Sequence, residues 1–238
     1  YGGPYTVDVL NIFRNFDADP YDTASYDFAF TDLLIKALME NGCEPFFRLG
    51  VTIENQSFIK AYRIHPPKDF KKWAVICEHI IKHYCYGWAD GYHMDIKYWE
   101  IWNEPDNTPD IADNPMWKGT PEQFFDLYKI TALHLRKCFG DTIKIGGYGA
   151  TGFWGIFADY EKYGIPTHIK QDEEFLERAR SPHAQNLLKF FFNFLAHIRE
   201  HNAPLDFFSW HSYLNIENTK AMSDFIHRTL RAHGYGNT

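Results

Sequence analysis

The sequence predicts an α/β fold in which a parallel sheet is wrapped by helices, a (β/α)8 barrel that is incomplete in this chain, with about five βα units. Three observations carry that expectation. Strand signals and helix signals alternate from one end of the chain to the other. No Gly-x-Gly-x-x-Gly follows an early strand; Gly146-Gly147-Tyr148-Gly149 comes late and no helix follows it directly, which disfavours a doubly wound nucleotide fold. The 238 residues hold no linker, repeat or low-complexity stretch, so the whole of 1–238 reads as one barrel domain that lacks its C-terminal strands.

Taken in order, Val7–Phe13 reads as a strand. Tyr26–Asn41 reads as a helix, with Leu33, Leu34, Ala37 and Leu38 at helical spacing and Gly42 as its stop. Pro45–Val51 is the next strand. Pro66-Pro67-Lys68-Asp69 opens a helix to about Gly87, whose stripe is Trp73, Ile76, Cys77, Ile80 and Ile81. Lys97–Asn103 is a strand that Pro105 cannot continue. Thr120-Pro121-Glu122-Gln123 has the form of a capping box with Pro in the first turn, and its helix runs to about Phe139. Thr142–Tyr148 is a strand, Ser181-Pro182 starts a helix to about Asn202, Leu205–Tyr213 is a strand, and Thr219–His233 is the last helix. A closed barrel has eight strands, so one is expected before Tyr1 and two after Thr238.

Composition excludes several classes. A net charge of −7 with no basic run argues against nucleic acid as a partner. No apolar stretch reaches the ~18–20 residues of a membrane span, so no membrane partner is expected. The chain shows no signal peptide and begins Tyr1-Gly2-Gly3-Pro4 rather than with Met. Cys43, Cys77, Cys85 and Cys138 have no metal-ligand spacing and read as buried free thiols. His79 and His83, at i and i+4, lack an acidic or Cys partner in sequence and read as a pair on a helix surface. No metal and no cofactor is expected. The 18% aromatic content fits a bulky core or a cleft lined with rings.

The chemistry concentrates in Lys97-Tyr98-Trp99-Glu100-Ile101-Trp102-Asn103-Glu104-Pro105-Asp106. A strand that ends on Asn-Glu places a carboxyl at its C-terminal lip, where parallel βα folds build active sites. Neighbouring aromatics give that carboxyl an apolar setting, which suits a general acid. Period-two alternation puts Glu100, Trp102 and Glu104 on one side. Glu100 is then a buried carboxylate that needs a partner, with Arg48 expected and Arg14 as the second choice. On the strand Asp206–Tyr213, Phe207, Ser209, His211 and Tyr213 share a side that turns polar toward the same rim, and Glu54 and Asn55 sit at that rim too.

Trp102-Asn103-Glu104-Pro105-Asp106 resembles the Asn-Glu-Pro signature of clan A glycoside hydrolases. The order of features is similar to glycoside hydrolase family 39, the β-xylosidase and α-L-iduronidase family. The supporting segments are Pro66–Trp73, Phe124–Lys129, Lys144–Gly147 and Pro204–Tyr213, so the likeness covers nearly the whole chain. It implies a retaining O-glycosidase of carbohydrate and polysaccharide breakdown, acting on an oligosaccharide or glycoside. It further implies Glu104 as general acid/base, Asn103 on the sugar hydroxyl beside the anomeric carbon, and His211 and Tyr213 along the subsite. Trp102 and Glu54 complete the expected substrate-binding set. The family's nucleophile is a Glu on strand seven, which is expected beyond Thr238; Glu54 and Glu217 are the internal candidates. An Arg-x-His pattern common in relatives is missing at the early strand, where this chain has Asp8-Val9-Leu10. The alternative reading is a catalytically silent carbohydrate-binding barrel.

Overall fold

The computed structural model describes residues 8–51 and 64–236. Its frame is a parallel sheet of β1 (Phe46–Leu49), β2 (Tyr98–Ile101), β3 (Lys144–Ala150) and β4 (Phe207–Trp210), and the order in space is the order in the chain. A doubly wound sheet reverses its strand order at a switch point; this sheet steps one way throughout, as barrel strands do.

Helices fill every crossover. α1 (Val9–Ile12) and α2 (Ala29–Glu40) precede β1, α3 (Phe70–Tyr86) joins β1 to β2, and α4 (Pro121–Phe139) joins β2 to β3. A 3-10 turn at Trp154–Ala158, then α5 (Tyr160–Tyr163), α6 (Glu173–Arg180) and α7 (Pro182–Glu200), lead to β4, and α8 (Ile216–Ala232) follows it. The caps are where local chemistry puts them. Asp69 accepts from the backbone of Lys71 and Lys72, and Gly87 closes α3 at φ 74°. Thr120 and Gln123 form the reciprocal capping box, with Pro121 in the first turn.

The two faces of the sheet differ. Phe47 and Trp99 pack with each other, and Phe47 also meets Tyr84 of α3. Tyr148 of β3 lies among Phe124 of α4 and Phe190 and Phe194 of α7. The opposite face carries Phe46, Tyr98 and Phe207 in mutual ring contact, with the ion pair of Arg48 and Glu100 one layer above. The register places Arg48 directly across from Glu100, so alternation on two paired strands sends both side chains to the same face.

Several sequence expectations change. Val9–Ile12 is one helical turn rather than a strand: a short apolar run fits either state, and here Val9, Leu10 and Ile12 are all buried by coiling. The segment still lies beside the sheet, for the Val9 N–H donates to the Gly50 carbonyl at 3.2 Å. α2 buries Thr31 and Ile35, while Leu33 and Ala37 face solvent, so its inner face is rotated from the all-apolar stripe. His79 and His83 are buried, not on a surface. His83 stacks on Phe28 and contacts the Asp32 carboxylate at 3.0 Å, so its partner comes from a helix distant in sequence. Of the four thiols only Cys77 is fully buried; Cys43 and Cys138 are exposed. Among the described residues no helix is long and apolar enough to cross a membrane.

Candidate active site

The motif strand is shorter than expected: it stops at Ile101 rather than running to Asn103, so Pro105 lies beyond its end. Trp102 has φ 72° and Glu104 φ 47°, left-handed conformations that cost a side-chain-bearing residue energy. The first turns the Trp102 ring to the helix layer, against Trp73 of α3 and against Trp117, where its Nε1–H donates to the Met116 carbonyl at 2.9 Å. Glu100 and Trp102 therefore do not share a side. Trp102, expected to contact substrate, is instead a buried packing residue against the helix layer. Gly50 makes this fit: a Cβ there would come within 2.7 Å of the Trp102 Cα.

The second left-handed residue aims Glu104 across the sheet. Its N–H is shared by the carbonyls of Tyr148 and Gly149, at 3.2 and 3.1 Å. Glu104 Oε1 lies 2.6 Å from His211 Nδ1, and Oε2 accepts from Asn107 Nδ2 at 3.0 Å. The Glu104 side chain is 7% exposed and His211 is 30% exposed, so the pair has a dry root and a wetted tip. One proton serves the 2.6 Å contact. With Glu104 ionised the imidazole donates; with Glu104 protonated its hydroxyl donates to Nδ1. The arrangement therefore accommodates either state of the carboxyl, which is what a group that gives and then takes a proton requires.

Asn103 and Glu100 meet around Gly149, which has φ 58°. A Cβ on Gly149 would lie 2.9 Å from Asn103 Oδ1 and 3.5 Å from Glu100 Oε1. The Gly149 N–H donates to Ser209 Oγ, tying β3 to β4 beneath the site. Asn103 is buried, and its Oδ1 has no hydrogen-bond partner among the described residues. Arg48, not Arg14, partners Glu100. Arg14 instead binds Asp27 at 2.8 Å on the surface.

Sequence reasoning missed three contributors. Asn107 binds Glu104 directly, yet it follows the strand as an ordinary turn residue would. Asp106 is buried and accepts from both the Oγ1–H and the N–H of Thr151, at 2.8 and 3.2 Å. Burial pushes its carboxyl up to about 7 despite those bonds, and the nearby Glu104 charge adds to the rise. Gly149 was read only as part of a glycine run. A signal for Asp106 existed: an acidic residue directly after the motif's proline, two positions from Glu104.

Of the remaining expected residues, Tyr213 is 91% exposed, projecting into solvent beyond the end of β4. Glu217 sits exposed in the first turn of α8, where a carboxylate favours the helix N-terminus, and not at a strand end suited to a nucleophile. Glu54 and Asn55 lie outside the described residues.

Comparison with known proteins bears on family and fold. The family model of glycosyl hydrolases family 39 matches residues 3–234. A β-xylosidase from Caldicellulosiruptor saccharolyticus is 30% identical over 148 residues, 59% of this chain and 28% of that protein. The crystal structure of a glucosidase from Croceicoccus marinus superposes with TM-score 0.70 at 22% identity, over 98% of this chain and 42% of its own. A monomeric β-xylosidase from Caulobacter crescentus CB15 superposes with TM-score 0.52 at 18% identity, over 87% of this chain and 38% of its own. At those identities the superpositions speak to fold, a partial (β/α) barrel. The chain spans less than half the length of each of these relatives.

Proposed function

Because the chain belongs to glycosyl hydrolases family 39, we propose that the protein it represents cleaves O-glycosidic bonds with retention of configuration, on β-xylosidase-like substrates, with Glu104 as general acid/base. The observation that carries the proposal is the buried Glu104 carboxyl at the lip of β2, held on one oxygen by His211 and on the other by Asn107.

In the first step Glu104 protonates the departing glycosidic oxygen, so that the leaving group departs as an alcohol. A second carboxylate, ~5–5.5 Å away, attacks the anomeric carbon from the other face. In the second step Glu104, now ionised, takes a proton from water, which attacks the glycosyl-enzyme and releases the nucleophile. His211 supports the second half by donating to the ionised Glu104 carboxylate. Asn103 offers its buried Oδ1 to a sugar hydroxyl next to the reacting carbon. Tyr213, exposed beyond the end of β4, offers its ring and hydroxyl at the rim to a bound sugar. The nucleophile is a Glu of a later strand of the same barrel.

The test is Glu104→Gln in the full-length protein. Hydrolysis of glycosides with poor leaving groups should fall by roughly 100–10,000-fold, the range for loss of a general acid. The glycosylation step with an activated aryl glycoside, whose leaving group needs no proton, should lose far less. Equal loss on both substrate types would refute the assignment.

A further inference from the structure

On the outer layer, far in sequence from the motif strand, α3 and α4 bring together three metal-binding side chains. His134 and Cys138 stand at i and i+4 on α4, one above the other on a single helix face. Glu78 of α3 faces them. His134 Nε2 is 2.6 Å from Glu78 Oε2 and 3.7 Å from Cys138 Sγ, and the three donor atoms all lie within 4.8 Å of one another. Spacing along the chain shows no metal motif, because it cannot register a ligand supplied by a second helix.

We propose that Glu78, His134 and Cys138 form a binding site for a zinc(II)-class ion, with water in the fourth position. Ligand bonds of about 2.0–2.3 Å in a tetrahedron separate donor atoms by roughly 3.2–3.7 Å. The S–N separation already matches, and the O–N pair must open by less than about 1 Å. Glu78 is buried and fixes the root of the site, while His134 is partly exposed and Cys138 exposed, so an ion can enter from solvent. A thiolate with an imidazole selects a borderline-soft d-block ion over calcium or magnesium.

Charge and protons balance. The carboxylate and the thiolate together neutralise a divalent ion. The thiol proton goes to solvent, and the imidazole binds in its neutral form with its proton on Nδ1. Lys82 keeps its ion pair to the other Glu78 oxygen, Oε1, and need not leave.

The experiment titrates cobalt(II) into the full chain, reads thiolate-to-cobalt charge transfer in the near ultraviolet, and then displaces cobalt with zinc(II). The expected result is a saturable band that zinc abolishes. Cys138→Ser, a conservative change at an exposed position, should remove it, and His134→Gln should weaken binding by at least about 10-fold. Cys43→Ser, at the other exposed thiol, should leave the band intact. No band in the parent chain would overturn the proposal, as would a band that survives Cys138→Ser or disappears with Cys43→Ser.

Discussion

Asp106→Asn should flatten a pH dependence of stability that the parent protein shows. Asp106 is buried, both bonds from Thr151 go to its Oδ1, and Oδ2 has no hydrogen-bond partner among the described residues. Burial raises its carboxyl from 3.8 to about 7. Below pH ~3.8 the carboxyl is neutral in both folded and unfolded chains, and its contribution to stability is fully present. Between that value and about 7 the folded chain keeps the proton and the unfolded chain has lost it, so stability falls as pH rises; above about 7 the contribution is gone. At about 1.4 kcal/mol per pH unit the full swing is on the order of 4 kcal/mol. Asparagine keeps the Oδ1 acceptor for Thr151 and stays neutral. The Tyr148 hydroxyl, buried and without a hydrogen-bond partner among the described residues, also senses the Asp106 charge. Urea unfolding of both proteins from pH 4 to pH 8 gives the difference in stability, in which other titrating groups cancel. The variant should gain on the parent by at least about 2 kcal/mol across that window. A difference that stays constant within ~0.5 kcal/mol would mean that Asp106 is solvated or paired in a way the buried geometry does not allow.

Glu100→Ala should destabilise by roughly 1.5–3 kcal/mol in chemical denaturation, the range for a charged hydrogen bond, because the side chain it removes is 3% exposed while the Arg48 it leaves unpaired is 28% exposed and keeps part of its solvation. Gly149→Ala should lower activity by roughly 10–100-fold with a smaller effect on unfolding, since the new methyl pushes on Asn103 Oδ1 and the residue must hold a positive φ. Thr120→Ala removes one half of the capping box and should cost about 1 kcal/mol in denaturant unfolding while leaving the pH profile of activity unchanged.

What could be read from the sequence was what local chemistry decides. The capping box at Thr120, the stop at Gly87 and the parallel alternation need only neighbours in the chain. The Arg48–Glu100 pair was legible because alternation on adjacent parallel strands constrains both partners. Failures came where a distant element decides. Asp32 and Phe28 make a buried site for His83, which on α3 alone looks like a polar surface residue. The stretch 154–180 contains a 3-10 turn and two short helices that bury little of their own; on α6 only Ala179 is buried, so no stripe announces the helix. Thr31 is buried on α2 where an apolar pattern would not place a hydroxyl.

The motif itself shows how one local departure makes the site. A strand continued past Ile101 would have sent Trp102 toward Glu100 and put a large ring over the Arg48 pair. Two left-handed residues cost on the order of 1–3 kcal/mol each, and the surroundings offset that cost. Trp102 gains a backbone bond to Leu49 at 2.8 Å, an indole bond to Met116 and two ring contacts; Glu104 gains the carbonyls of β3 and two side-chain partners. The result is that the bulkiest side chain of the motif goes outward into the helix layer. Within two residues the carboxyl is delivered inward, over β3 and against the imidazole of His211 just past β4. Glycines at 50 and 149 supply the clearance on either side. The aromatic-rich strand and the carboxyl at its lip are thus parts of one device: the Trp102 anchor fixes the turn, and the turn fixes where the Glu104 carboxyl sits.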